Sequence, residues 1–397
     1  MSLSRLSLQD LRDFFLDHQE GSPAILDKNF GDAIKVSDTW HNHAIFLYHA
    51  AKNATVRQSY GTNTEAAADA INKHLREWTE KALKMRGTPE PWMIPQTLTA
   101  FTMLRVRPPA KFVEFCERSA MTSLKRWQKT QVLEWFSSAA ELGIESNEGF
   151  VKQVCQRLIM LAPGMKGHEL HELARNMATM DAILEARRAA KSPHIAQAFR
   201  QVFTIPAVVM EVERTRNQEE PQKLGDAIYW FARQKAAFPR SGIEQNSGLQ
   251  WLVADQFKAA GAHPIQRHVV KDTGHEIDLS FSFNGCNFDV EVDGPCHFIR
   301  CTDGHIITLD GASVFQTLLM QAKNPERKII RLPYTVYSDH VDKPEMWREL
   351  CAEIQAAKPG SYLVDSFGKL NAKLMTRCSA YPVYADQERS RYAAPAA

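Results

Sequence analysis

The chain has no uninterrupted apolar run approaching the roughly 20 residues that a membrane-spanning helix needs. Its net charge is small: 48 Lys and Arg stand against 46 Asp and Glu, for a balance of +2. That excludes the broad basic surface of a histone-like protein and confines any polyanion contact to a local stripe. Cysteine is sparse and scattered, seven residues in 397, an odd count that suits neither a disulfide framework nor a paired-cysteine zinc motif. Cys296, Cys301 and His305, with His297 nearby, come closest to a zinc set, but their spacing matches no standard motif. Gly311-Ala312-Ser313 lacks the lysine and spacing of a phosphate loop, so no nucleotide cofactor is expected. Nucleophile-elbow and kinase signatures are missing as well. The opening segment carries Leu8, Leu11, Phe14 and Phe15 at helical spacing, and its Asp10, Asp13 and Asp17 argue against an organelle transit peptide.

What is present is ordinary globular composition, 44% hydrophobic and 24% charged, enough apolar surface for two or three domains. After an N-terminal segment (1–36), residues 37–237 show helical periodicity and almost no strand-like alternation. Trp40, Ala44, Leu47, Tyr48 and Ala51 mark one helix; Ala70, Leu75, Trp78, Ala82 and Met85 mark another. Breaks fall at Gly87-Thr88-Pro89, Pro108-Pro109 and Ala162-Pro163-Gly164. Within this region a period of 38 recurs, through Leu104, Leu142 and Met180. The same step relates Ile94, Val132 and Leu170, then Phe101, Ala139 and Met177. One helix earlier it relates Leu75, Val113 and Val151; Trp78, Cys116 and Val154; and Ala82, Ala120 and Leu158. Each unit reads as two helices. A lone pair cannot bury its apolar faces, so such units are expected to stack into a helical repeat solenoid. A helical bundle with coincident spacings is the plainer alternative.

The stretch Ile94-Pro95-Gln96-Thr97-Leu98-Thr99-Ala100-Phe101-Thr102-Met103-Leu104 resembles the "PQ-L-A--L-AL--LG" signature of octatricopeptide repeats, and Thr130–Gly143 resembles it too. The resemblance covers about Trp92 to Met180 and implies binding of an RNA strand along one face. Polar side chains would read bases and cations would meet phosphates. Gln96, Thr99, Gln131 and Glu134, with the basic Lys125, Arg126 and Lys129, are the candidates, each set against an ordinary solvated helix face.

A polar stretch from about Arg214 to Gln222 (TRNQEEPQ) reads as a linker, and Leu224–Ala237 as one more helix. From Gly248 the pattern changes. An amphipathic helix over Leu249–Ala260 precedes a strand candidate at His268–Val270. Ile277, Leu279, Phe281 and Phe283 then alternate up to Asn284-Gly285, the strongest hairpin turn in the chain, and Phe288–Asp293 returns. A helix at Gly311–Ala322, a strand at Lys328–Leu332 and a helix at Met346–Ala357 complete a small α/β domain over 248–358; the tail, 384–397, is expected to be disordered.

Glu291 and Asp293 are two apart on one strand and share a face, and Asp278 lies on its hairpin partner. Three converging carboxylates suit a hard divalent cation, for which they would have to approach within roughly 4–6 Å in an open cleft. The plain alternative is three strand-end acids.

Glu291-Val292-Asp293-Gly294-Pro295-Cys296-His297-Phe298 closely resembles the "EVDGPSHF" core of RAP domains. Ile277-Asp278 fits that family's upstream strand, Gly311–Phe315 its "GATLL" helix start, and Ile330–Tyr334 its "V-RIPYYEW" strand. The resemblance covers Gly248 to Tyr337. It implies an RNA-binding protein of the FAST-kinase-like or octatricopeptide kind, acting in RNA processing, stability or maturation, with a restriction-endonuclease-like α/β domain behind helical repeats. Nucleases of that fold use an Asp on one strand and Glu-x-Lys on the next. Asp278 and Glu291 hold the corresponding places, Asp293 stands in the lysine's, His297 is a candidate base, and Gln316 replaces a helix lysine of the family. The implied alternative is a Mg2+-dependent endoribonuclease with Asp278, Glu291 and Asp293 as metal ligands and His297 as water activator. A protein scaffold or a secreted bacterial effector is a third reading. The expected partner is single-stranded RNA, the expected compartment the bacterial cytoplasm.

Overall fold

The computed structural model describes residues 30–35, 37, 39–59, 64–188, 193–215, 221–232, 248–265, 277–301, 306–372 and 381–382. The strand candidate at His268–Val270, the centre of the polar linker and the tail lie outside them. Contacts divide the chain into two units. The first holds Met1–Asp181, Lys191–Glu219 and Ile299–Gly304; the second holds Ala182–Ala190, Glu220–Phe298 and His305–Ala397.

In the first unit the Pro and Gly breaks separate helices α1 (Trp40–Ser59), α2 (Thr64–Lys84), α3 (Met93–Met103), α4 (Ala110–Ser123), α5 (Lys129–Glu141) and α6 (Glu148–Leu161). They are followed by α7 (Gly167–Arg188), α8 (Pro193–Val202) and α9 (Pro206–Thr215); the division between units passes through α7. Between α3 and α4 lies a two-residue strand, β1 (Val106–Arg107), which pairs in parallel with Arg300 and Cys301. Odd helices pack in sequence, α1 on α3 and α3 on α5, and even ones do likewise, α2 on α4, α4 on α6 and α6 on α8. All eighteen positions related by the step of 38 are buried, from Leu75, Val113 and Val151 to Leu104, Leu142 and Met180. Two helix ends are also alike. Leu104 closes α3 at φ −80°, ψ −6° and Leu142 closes α5 at φ −77°, ψ −6°. Each is followed by a left-handed residue, Arg105 at φ 53° and Gly143 at φ 58°, the usual way to turn a chain out of a helix. Met180 lies within α7, which runs on.

The second unit opens with α10 (Pro221–Ala232) and α11 (Gly248–Ala259), and so starts before 248. Its six-stranded sheet has the order β2-β3-β4-β7-β8-β9, with β2 (His263–Ile265), β3 (Leu279–Phe283), β4 (Cys286–Asp293), β7 (Lys328–Pro333), β8 (Gly360–Val364) and β9 (Leu370–Asn371). The last two strands carry the unit beyond 358. β5 (Phe298–Cys301) and β6 (Ile306–Leu309) lead to α12 (Gly311–Lys323), and β6 pairs antiparallel with β10 (Tyr381–Pro382). α13 (Tyr334–His340) and α14 (Pro344–Ala356) separate β7 from β8. The hairpin between β3 and β4 turns at Asn284 (φ 47°) and Gly285 (φ 79°), the paired left-handed geometry that an Asn-Gly loop adopts readily. β4 runs parallel to β7, and β7 parallel to β8.

Strand alternation gives the sheet two different faces. Phe281, Phe288, Val290, Val292, Ile330 and Leu332 point into a core with Phe257 of α11 and Trp347 of α14. The opposite face carries the acids of β4 and lies under α12, whose Met320 packs with Ile277 and Ile329. Trp230 of α10 meets Phe315 of α12 edge-on at 5.7 Å. The chain is thus helical first and mixed α/β afterwards. None of its described helices is long and apolar enough to cross a membrane.

Candidate functional site

Two places gather polar side chains, one in each unit. In the second unit, alternation along β4 puts Asp289, Glu291 and Asp293 together on the face beneath α12, at 5%, 6% and 1% exposure. The parallel register sets Glu291 beside Arg331 of β7. Arg331 is itself 1% exposed and forks onto Asp293, with Nε donating to Oδ2 at 2.8 Å and Nη2 to Oδ1. Its Nη1 donates to Thr317 Oγ1 of α12 at 3.1 Å. Burial works against the guanidinium's charge, but the Asp293 carboxylate outweighs it and holds the pKa above the ordinary arginine value. Asp289 is satisfied separately, by the Ser280 hydroxyl at 2.7 Å and by Arg327.

Glu291 is the exception. Its Oε1 is buried with no hydrogen-bond partner. Burial, and then the charge of Asp278, push its carboxyl well above the usual range. Asp278 itself accepts the Val292 N–H at 2.8 Å, and burial raises its pKa despite that bond. His297 Nδ1 lies 2.9 Å from Ser313 Oγ and 3.8 Å from Asp293 Oδ1.

Asp278, Glu291, Asp293 and His297 are therefore neighbours, as the sequence suggests, but the cation in their midst is Arg331. Both oxygens of Asp293 are committed to it. Asp310 caps α12 by accepting the Ser313 N–H at 2.7 Å, and Arg331 links that helix to the acids through Thr317. Among the described residues no three of His, Cys, Asp and Glu are placed to share a metal ion. Arg331 was missed from the sequence, although a lone arginine inside Ile329-Ile330-Arg331-Leu332-Pro333 signals a buried, paired charge. Gln316 sits half-buried on α12. Side chains of Cys301 and His305 lie outside the described residues.

In the first unit, α3, α5 and α7 line a cavity of about 490 Å³. Its walls carry Thr99, Thr102 and Arg105, then Glu134, Ser137 and Ser138, then His168, Glu172 and Asn176, with Met103, Leu133 and Leu173 as apolar patches. The step of 38 organises them. From Gln96 it reaches Glu134 and Glu172; from Thr99 it reaches Ser137; from Ser138 it reaches Asn176. Glu134, Ser137 and Asn176 are half-buried. Burial raises the Glu134 pKa, which marks a carboxylate short of donors.

The sequence candidates divide accordingly. Thr99 and Glu134 line this cavity. Lys129 reaches across to Glu169 at 2.9 Å. Gln131 closes the first turn of α5 by accepting the Gln128 N–H at 2.8 Å, a capping role. Lys125 and Arg126 stand exposed on a short 3-10 turn. Gln96 Oε1 is buried without a partner. Ser137 and Asn176 were not anticipated, although adding 38 to Thr99 reaches the first.

Comparison with protein families and with curated proteins finds no match to this chain.

Proposed function

We propose that this protein binds single-stranded RNA through its first unit, whose helices act as a short solenoid of 38-residue repeats. One observation carries the reading: side chains related by that step, Glu134 and Glu172 in one row and Thr99 and Ser137 in the next, line one groove. Polar residues recurring at those positions suit a strand with repeated bases. Unstacked bases expose the edges that such groups hydrogen-bond. In this reading the exposed Lys125 and Arg126, on the short turn before α5, meet phosphate.

The second unit, with its RAP-like motifs, supports RNA binding in this reading and does not cut the strand. Of the three acids expected to share a divalent ion, Asp293 is already balanced by Arg331 in a fork beneath α12.

The test is a binding titration of labelled RNA, the same sequence as single strand and as duplex, with its length followed on a gel in the presence of Mg2+ or Mn2+. The single strand is expected to bind about tenfold or more tighter and to stay intact. Equal affinity for both forms, or none for either, overturns the proposal. Cleavage lost in Asp278→Ala and Glu291→Ala would restore the endoribonuclease reading.

A further inference from the structure

Three groups in the groove of the first unit have hydrogen-bonding capacity that the described protein leaves unused. Glu134 makes no hydrogen bond or ion pair, and burial already disfavours its charge. Ser137 lies one turn further along α5, and Asn176 faces the same cavity from α7. Leu133, Leu173 and Met103 supply apolar wall beside them. The cavity, about 490 Å³, falls in the range of roughly 300–1,000 Å³ that holds small organic ligands.

The donor pattern selects among bases. An ionised carboxylate accepts through both oxygens and donates nothing. On the Watson–Crick edge, guanine offers two adjacent donors, N1–H and the 2-amino group, spaced to meet both oxygens at once. Adenine and cytosine each offer one amino donor beside a bare ring nitrogen, whose lone pair would face the second oxygen. Uracil offers one donor flanked by two carbonyls. Guanine also has O6, an acceptor suited to the Ser137 hydroxyl or the Asn176 amide. The backbone is expected to run clear of Glu134, which lines the groove and would repel a phosphate beside it.

We propose that Glu134 selects guanine at one position of the bound strand, with Ser137 and Asn176 completing the base's edge. This rests on the reading of the first unit as a single-stranded RNA binder.

The experiment measures dissociation constants for five 12-nucleotide RNAs, oligouridylate and the same strand with one central guanosine, adenosine, cytidine or inosine. A central placement lets the strand slide until the odd base finds its pocket. The guanosine strand is expected to bind roughly tenfold or more tighter than the adenosine, cytidine and all-uridine strands, a typical advantage for a bidentate pair. Inosine, which lacks the 2-amino group, is expected between them. In Glu134→Gln one acceptor becomes a donor, matching adenine's amino group and N1, so the guanosine-to-adenosine preference should invert. Circular dichroism of this isosteric variant checks its fold. If the wild type binds none of the five, the RNA-binding reading fails and takes this one with it. If it binds all five alike, or if Glu134→Gln keeps the guanosine preference, the guanine assignment is overturned while RNA binding stands.

Discussion

The ring of His43 is buried between Ser37 and the carbonyl of Trp78. Nε2 lies 2.9 Å from Trp78 O and Nδ1 lies 2.7 Å from Ser37 Oγ. The Ser37 hydroxyl in turn donates to the Ile34 carbonyl at 3.0 Å. The ring also stacks on the Trp78 indole with centroids 4.3 Å apart. Burial lowers its pKa to about 4, with Lys81 adding to the effect and the Trp78 carbonyl opposing it. The folded state thus refuses a proton that the unfolded chain takes up near pH 6.5, so the stability this group contributes is full above that pH. It is lost as pH falls from 6.5 through 4. By pH 5 the loss is about 2 kcal/mol. Urea unfolding at pH 7.5 and pH 5 should show it, and His43→Gln should lose less between the two pH values than the wild type by that amount. Equal losses in both proteins would mean that other groups carry the acid response. At the other candidate residues the sequence showed side-chain type but not company. Lys129 and Gln131 read as RNA contacts, yet one is held by Glu169 and the other caps its own helix.

At the scale of elements, much of the second unit could be read directly. Period-two alternation before Asn284-Gly285 specifies the hairpin of β3 and β4, because shifting either strand by one residue would turn Phe281 and Phe288 away from their core. The pairing of β4 with β7 could not be read, since it depends on strand order rather than on local pattern. With it the partner of Asp293 was hidden. That pair has a measurable signature. Removing one member strands a buried charge and costs about 3–5 kcal/mol, whereas replacing both by apolar groups costs far less. Arg331→Met and Asp293→Leu are each expected to destabilise strongly in urea, and the double variant should be more stable than either single one. If the two losses simply add, the fork contributes nothing as a unit.

For the molecule as a whole, the step of 38 was legible because packing demands small or apolar residues at fixed intervals, and the eighteen apolar positions it relates are buried. The polar half of the repeat was legible only in part, because a solvated helix face and a groove-lining face use the same residues. The charge balance adds a constraint on binding. The 48 Lys and Arg are nearly balanced by 46 Asp and Glu, so contacts to phosphate rest on a few local cations. Single-stranded binding loses about 0.7 in log–log salt slope for each neutralised phosphate. Lys125, Arg126 and one or two further cations predict a slope between about −1 and −3. Titrations at 50, 100 and 200 mM salt would measure it. A slope steeper than about −5 would place the strand on a basic surface elsewhere.

The Asp293–Arg331 fork also has a consequence for descent. Neither member tolerates loss while the other remains, so substitutions at the two positions must be inherited nearly together. Their separation of 38 residues places them in different stretches of sequence, one after the hairpin and one in the strand beyond α12. Relatives that have drifted past recognition in every linear motif should still keep both residues or replace both. An acid ending one strand and an arginine inside the next parallel strand is then a more durable mark of descent than the Glu-Val-Asp-Gly run that contains half of it.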